Sequence, residues 1–249
     1  MEVTGKHILV WYFRVGPENG SERTRLSVLE SLGITLTYVN AVTDICEKTS
    51  PEELFAQYDG LIILGSSELF FDGGDIASVE AKEQTHMVAR VLKPYIQHII
   101  QHDHPTLGLC FGHQLIAKTL GATIFSDKNT GKVGTHEIEF TKHAALDSLL
   151  ADMPPTIHVQ YGHKDVIATI PRPATLLAYG RNCHVSMLRY GKHVYTAQFH
   201  PELDKKSLLS ILKEYKEYSA ESGAHQKVQE TPYGKQILIN FGKKILANN

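Results

Sequence analysis

The run Gly108-Leu109-Cys110-Phe111-Gly112-His113-Gln114 follows directly on the short apolar stretch that begins at Thr106. A strand that gives way to a helix within so few residues forces the residue at the apex into a strained backbone geometry. Small neighbours two positions to either side relieve the clash. Gly108 and Gly112 hold those positions around Cys110. Such a turn lifts the sulfur above the carboxyl edge of a sheet and sets it at a helix N-terminus, where the partial positive charge favours the thiolate, the attacking species. A free cysteine is more often a small buried hydrophobe, so the pattern needs a partner base before it means catalysis.

The surrounding pattern fits this turn. Apolar runs alternate with amphipathic stretches, the signature of a sheet with helices on both faces. Strands are expected at His7–Phe13, Ile34–Asn40, Gly60–Leu64 and Thr106–Cys110, with helices at Ser21–Leu32, ended by Gly33, and Gly112–Leu120, closed by Gly121. From Ala77 to Ile100 apolar residues recur at helical spacing across Pro94, which predicts one kinked helix or two abutting ones. Beyond Ala122 short strand-like pieces (Val133–Phe140, Thr156–Gln160, Ala174–Gly180, His184–Tyr190, His193–Gln198) are separated by Gly, Pro and Asn. They predict hairpins added to the sheet. Two helices, Asp204–Tyr218 and Gly234–Leu246, close the chain around a polar segment, 219–230, expected to be a mobile loop.

The fold class expected is therefore α/β: a central, mostly parallel sheet flanked by helices on both faces, with antiparallel hairpins. At 249 residues, 42% hydrophobic and 21% charged, the chain can bury one large core, read as a single domain over 1–249 with a C-terminal helical extension over 203–249. A formal net charge of −2 leaves no basic footprint for nucleic acid or a membrane surface. Cys46, Cys110 and Cys183 form neither a disulfide framework nor a CxxC pair, which suits a reducing compartment. No apolar stretch approaches the roughly 20 residues that span a bilayer. A cytoplasmic protein that acts on small molecules or other proteins is expected, with no cofactor and no metal.

A base is offered by Tyr195–Glu202, "YTAQFHPE". Residues two apart in an extended segment point the same way, so Glu202 can hold the imidazole of His200 across Pro201, the logic of a nucleophile, base and orienter. With fourteen histidines in the chain an H-x-E will arise by chance. The conjunction with the cysteine turn is what carries weight.

Together, "GLCFGHQ" and "QFHPE" resemble the two signature motifs of the class I glutamine amidotransferases, a family with a flavodoxin-like fold. Its Cys-His-Glu triad hydrolyses the side-chain amide of glutamine through a γ-glutamyl thioester. "DGLIILGSS" resembles the family's oxyanion strand, "VQYGHKDVI" its strand and loop beside the substrate, and "TPYGKQILINF" its closing helix. The resemblance implies Cys110 as nucleophile, His200 as general base and then acid, and Glu202 as orienter. It implies an oxyanion hole from the N–H of Phe111 and of Gly65 or Ser66, and substrate contacts from Gln114, Tyr161 and Gly162. The family carries Gly-Gly-Pro where this chain reads Gly65-Ser66-Ser67, so a serine must donate its N–H with negative φ.

Other polar clusters are set aside. His163 and Asp165 are expected to shape the loop with hydrogen bonds. His98, His102, Asp103 and His104 read as a polar helix end, and Phe70–Asp75, "FFDGGD", as a flexible rim of the cleft without the ligands of a calcium loop. The resemblance implies glutamine or another γ-glutamyl compound as substrate, with a separate ammonia-accepting synthetase as partner. The alternatives are a stand-alone γ-glutamyl peptidase and, from another class, a non-catalytic binding or regulatory protein on the same fold.

Overall fold

The computed structural model describes residues 5–15, 24–44, 49–127, 129–214 and 228–248. Its main sheet has nine strands. Five lie parallel at one end, in the order β2 (Thr35–Asn40), β1 (His7–Tyr12), β3 (Gly60–Ile63), β4 (Thr106–Leu109) and β11 (Val194–Ala197). The sheet then continues antiparallel through β10 (Cys183–Tyr190), β9 (Thr175–Gly180), β6 (Lys132–Phe140) and β7 (Thr156–His163). The sheet is thus half parallel and half antiparallel, the hairpins extending it on the far side of β11. A ribbon of β5 (Ile124–Phe125) and β8 (Val166–Ile167) stands apart.

The parallel half explains why its strands read as unbroken apolar runs. In β1, Ile8, Val10 and Tyr12 enter one buried cluster while Leu9 and Trp11 enter another, on the opposite face. Strand side chains alternate, so a strand covered on both sides must be apolar at every position. One face is closed by α3 (Val79–His102), through Val88, Leu92, Tyr95, Ile96 and Ile99, and by α4 (Phe111–Thr119), through Leu115 and Ile116. Pro94 sits inside α3, which runs as one helix of 24 residues. The other face is closed by α1 (Ser27–Glu30) and by α6 (Pro232–Ala247), whose Ile237, Leu238, Phe241 and Ile245 belong to the main core. Each such side chain contributes about 1.5–3 kcal/mol by burial.

Within the expected first helix, residues 24–25 and 27–30 are helical with a turn at Leu26, and residues 21–23 lie outside the described residues, as do 215–218 of the helix that begins here as α5 (Lys205–Glu214). Cys46 and residues 219–227 of the polar segment also lie outside them. A helix the sequence reading passed over, α2 (Pro51–Phe55), opens on a capping box in which Ser50 Oγ accepts from Glu53 N and the Glu53 carboxylate accepts from Ser50 N. No helix among the described residues is long and apolar enough to cross a membrane.

Candidate active site

Cys110 caps α4 at the carboxyl end of β4 with φ 48° and ψ −98°, a left-handed conformation that a non-glycine residue adopts only under constraint. The constraint is close packing of backbone on backbone. A Cβ on Gly112 would lie 2.5 Å from the carbonyl oxygen of Ile63, and one on Gly108 would lie 3.1 Å from the carbonyl of Gly112. Only glycine lets α4 start so near β3 and β4. The amide of Cys110 donates to Ala197 O at 2.8 Å, which ties the turn to the end of β11.

That tie brings His200 alongside. β4 and β11 are adjacent and parallel, with Leu109 opposite Ala197, so the residues that leave the two strands emerge together. His200 N donates to Gln160 O at 2.8 Å, and its ring packs beside Cys110 at Gly65, where a Cβ would lie 3.0 Å from His200 Cε1 and 3.9 Å from Cys110 Sγ. His200 Nδ1 lies 2.7 Å from Glu202 Oε1. Burial opposes charge on the imidazole, but the Glu202 carboxylate and the Cys110 sulfur outweigh it and raise His200 to about 10. The three residues thus gather at a single edge of the sheet, with His200 bonded to Glu202 and beside Cys110.

Gly65 sits against this line. A Cβ there would approach His200 Cε1 to 3.0 Å and Cys110 Cβ to 3.3 Å, so the chain leaves β3 within van der Waals reach of both. Ser66 and Ser67 are not among the residues with positive φ. Ser66 Oγ accepts from the amides of Glu68 and Leu69, each at 3.2 Å. Ser66 thereby caps this turn with its side chain. Phe111, at the first position of α4, has an N–H that no intrahelical acceptor can take. Its ring is fixed edge-on to Phe13, with centroids 4.8 Å apart, and stacked on Phe71 at 5.6 Å.

The rim segment Phe70–Asp75 is tied down rather than free, which corrects the expectation of a flexible rim. The buried carboxylate of Asp165 accepts from the amides of Phe71, Asp72 and Gly73 at 2.8, 3.1 and 2.6 Å. Burial pushes the Asp165 carboxyl up, against the pull of those three amides. Asp72 in turn accepts from Ser126 N at 2.8 Å. The Asp165 carbonyl accepts from Gln114 Nε2 at 2.9 Å and from His163 Nδ1 at 3.1 Å. Burial, then the charges of Lys132 and His200, hold His163 well below the ordinary imidazole range. His163 and Asp165 therefore shape the loop.

Of the expected substrate contacts, the Gly162 carbonyl lies 3.9 Å from Cys110 Sγ. The ring of Tyr161 turns into the core, where its hydroxyl meets Ser186 Oγ at 2.9 Å. Gln114 is buried, one turn along α4 from Cys110. Sequence reasoning gave no role to Gln198, whose Nε2 lies 3.6 Å from Cys110 Sγ. The signal was present: Gln198 stands two positions before His200 in the same extended segment. His98, His102 and His104 gather around the Phe55 ring and Glu52.

The fold resembles a glutamine amidotransferase from Thermotoga maritima with a TM-score of 0.75, over 98% of this chain and 99% of that one, at 18% sequence identity. At the level of sequence, the model of the family "Glutamine amidotransferase class-I" matches residues 21–213. The chain belongs to the class I glutamine amidotransferase family. It is 32% identical to a glutamine-hydrolyzing GMP synthase subunit from Methanobrevibacter smithii, over 68% of this chain and 78% of that protein. It is 30% identical to gamma-glutamyl peptidase 3 of Arabidopsis thaliana over 63% of this chain, a match that spans 59% of the peptidase's length.

Proposed function

We propose that the chain hydrolyses the γ-amide of glutamine through a thioester on Cys110 and releases glutamate and ammonia. The observation that carries this reading is the position of His200, bonded to Glu202 through Nδ1 and packed with Cys110 against the same glycine, Gly65. Glu202 occupies His200 Nδ1, which leaves Nε2 for the sulfur and fixes the tautomer. The thiol proton passes to Nε2, and the resulting thiolate attacks the amide carbon. The oxyanion that forms is received by the N–H of Phe111 and that of Gly65 or Ser66. His200 then protonates the nitrogen, the C–N bond breaks and ammonia leaves. A water gives its proton to His200, adds to the thioester, and expels the sulfur with the carboxylate product. Gln114 and the Tyr161–Gly162 backbone hold the amino-acid end of the substrate.

Similarity to a glutamine-hydrolyzing GMP synthase subunit supports a separate synthetase chain that consumes the ammonia. Similarity to a gamma-glutamyl peptidase favours a second reading, in which the same steps release an amine from a γ-glutamyl dipeptide with no partner. Two buried free thiols, Cys110 and Cys183, suit a reducing, cytoplasmic setting.

The test is to incubate the isolated chain with glutamine and with γ-glutamyl dipeptides and to measure glutamate and ammonia. A diazo-ketone analogue of glutamine should form an adduct on Cys110. Turnover of dipeptides alone selects the peptidase reading, and folded protein with neither turnover nor adduct selects the non-catalytic one.

A further inference from the structure

Along one line through the site, the hydrogen-bond polarity of each group is dictated by its neighbour. The line starts at the backbone carbonyl of Asp165, which can only accept. The side-chain atom of Gln114 that lies 2.9 Å from it is therefore the amide nitrogen. The same nitrogen is 3.2 Å from the side chain of Gln198, so the atom it meets there must be the acceptor, Oε1. Gln198 is left with its Nε2 toward Cys110 Sγ, 3.6 Å away, and with no other hydrogen bond from that atom among the described residues. Neither amide can turn over without setting like against like. We propose that Gln198 is a catalytic residue: its side-chain N–H is a donor dedicated to the sulfur of Cys110, and Gln114 and Asp165 are positioning residues that hold it in that sense.

The sulfur's other contacts show when this donor acts. As a thiol, Cys110 can donate to the Gly162 carbonyl, 3.9 Å away. A thiolate has no proton to give and needs donors. An N–H directed at a neutral thiol is a weak contact, whereas one directed at an anion is charge-assisted. Gln198 is fully buried, where the interaction is least screened. It therefore stabilises the sulfur twice: when the proton has moved to His200 before attack, and again when the thioester is broken and sulfur leaves as an anion.

The inference rests on the reading that Cys110 attacks, but not on which amide it attacks. The test accordingly uses the free protein and an alkylating agent. The rate of Cys110 alkylation by chloroacetamide is measured against pH, with the modified residue located by peptide mass, in the parent and in Gln198→Met, Gln198→Glu and Gln114→Glu. Gln198→Met removes the donor at similar volume and should move the midpoint of the profile up by about one unit, since one unit corresponds to an interaction of ordinary hydrogen-bond size. Gln198→Glu, of almost the same shape, places an anion by the sulfur and should move it further. Gln114→Glu touches no sulfur, but it deprives the Asp165 carbonyl of its donor and frees Gln198 to turn, and it should move the midpoint in the same direction. A purely structural role would lower the melting temperature and leave the midpoint in place. Unmoved midpoints in folded Gln198→Glu and Gln114→Glu protein overturn the proposal. A chain that releases nothing from glutamine yet shows the shifts would fail only the substrate assignment.

Discussion

His200 Nδ1 meets Glu202 Oε1 at 2.7 Å, and the second carboxylate oxygen of Glu202 is buried with no hydrogen-bond partner among the described residues. The carboxylate thus spends its charge on one neighbour. Glu202→Gln keeps the shape and removes that charge, so kcat should fall by about a hundredfold or more, and by less than in His200→Ala, where no base remains. Stability responds with a definite sign. His200 is raised from 6.5 to about 10, so its contribution is fully present below about pH 6.5 and lost as pH rises through about 10. Urea midpoints of parent and Glu202→Gln should differ most just below about pH 6.5 and converge as pH rises through about 10.

Cys110 holds a left-handed backbone conformation that an L side chain tolerates poorly. Cys110→Ala should abolish turnover and leave the fold intact. Cys110→Gly should be equally inactive yet more stable than Cys110→Ala by about 1 kcal/mol, because glycine removes the Cβ clash. Thermal unfolding of the two variants side by side measures this.

Gly65 has room for a side chain only at the expense of the site. In Gly65→Ala the added methyl meets His200 Cε1 at 3.0 Å and Cys110 Cβ at 3.3 Å. The imidazole must give by a few tenths of an ångström, and activity should fall by about 10²-fold. The melting temperature should change little, which separates misalignment from unfolding.

Asp165 satisfies three backbone amides of the segment 71–73. Asp165→Ala leaves them without an acceptor, at about 1–3 kcal/mol for each buried donor. A lowered urea midpoint and new proteolytic cleavage between residues 70 and 75 are expected.

His113 is buried, with Nε2 donating to the Val185 carbonyl at 3.1 Å and Nδ1 accepting from Thr196 Oγ1 at 2.7 Å. Burial lowers it from 6.5 to about 4, only partly offset by the Val185 bond. The unfolded chain binds this proton more readily, so stability falls as pH drops from 6.5 through about 4, by roughly 3 kcal/mol in all. His113→Gln should flatten that acid limb in pH-dependent denaturation.

The parallel half of the sheet was readable because its physics is local. Strand β1 is apolar at successive positions, α3 repeats its apolar face, and two glycines bracket Cys110. The ribbon of Ile124–Phe125 with Val166–Ile167 was not readable, since two residues show no period. Strand β7 runs three residues past its expected end because Tyr161, Gly162 and His163 pair with Gly134, Val133 and Lys132, a partnership made across a hairpin. The capping box at Ser50 and Glu53 is a local signal that marks the start of α2. Asp165 could be placed in a loop but not on its target, because its three amides lie 92 to 94 positions away in the chain. Gln198 met Cys110 only once β11 had joined β4.

That junction has a consequence for what the molecule tolerates. Neighbouring strands are held about 4.8 Å apart by their ladder of hydrogen bonds, and Leu109 and Ala197 are rungs of one ladder. The spacing between sulfur and imidazole is therefore inherited from the sheet and not from the length of whatever joins them. Lengthening or trimming a surface turn between α4 and β11 would alter what the mouth of the cleft admits while leaving the reacting pair at its own separation, so selectivity can drift under mutation with the chemistry held constant.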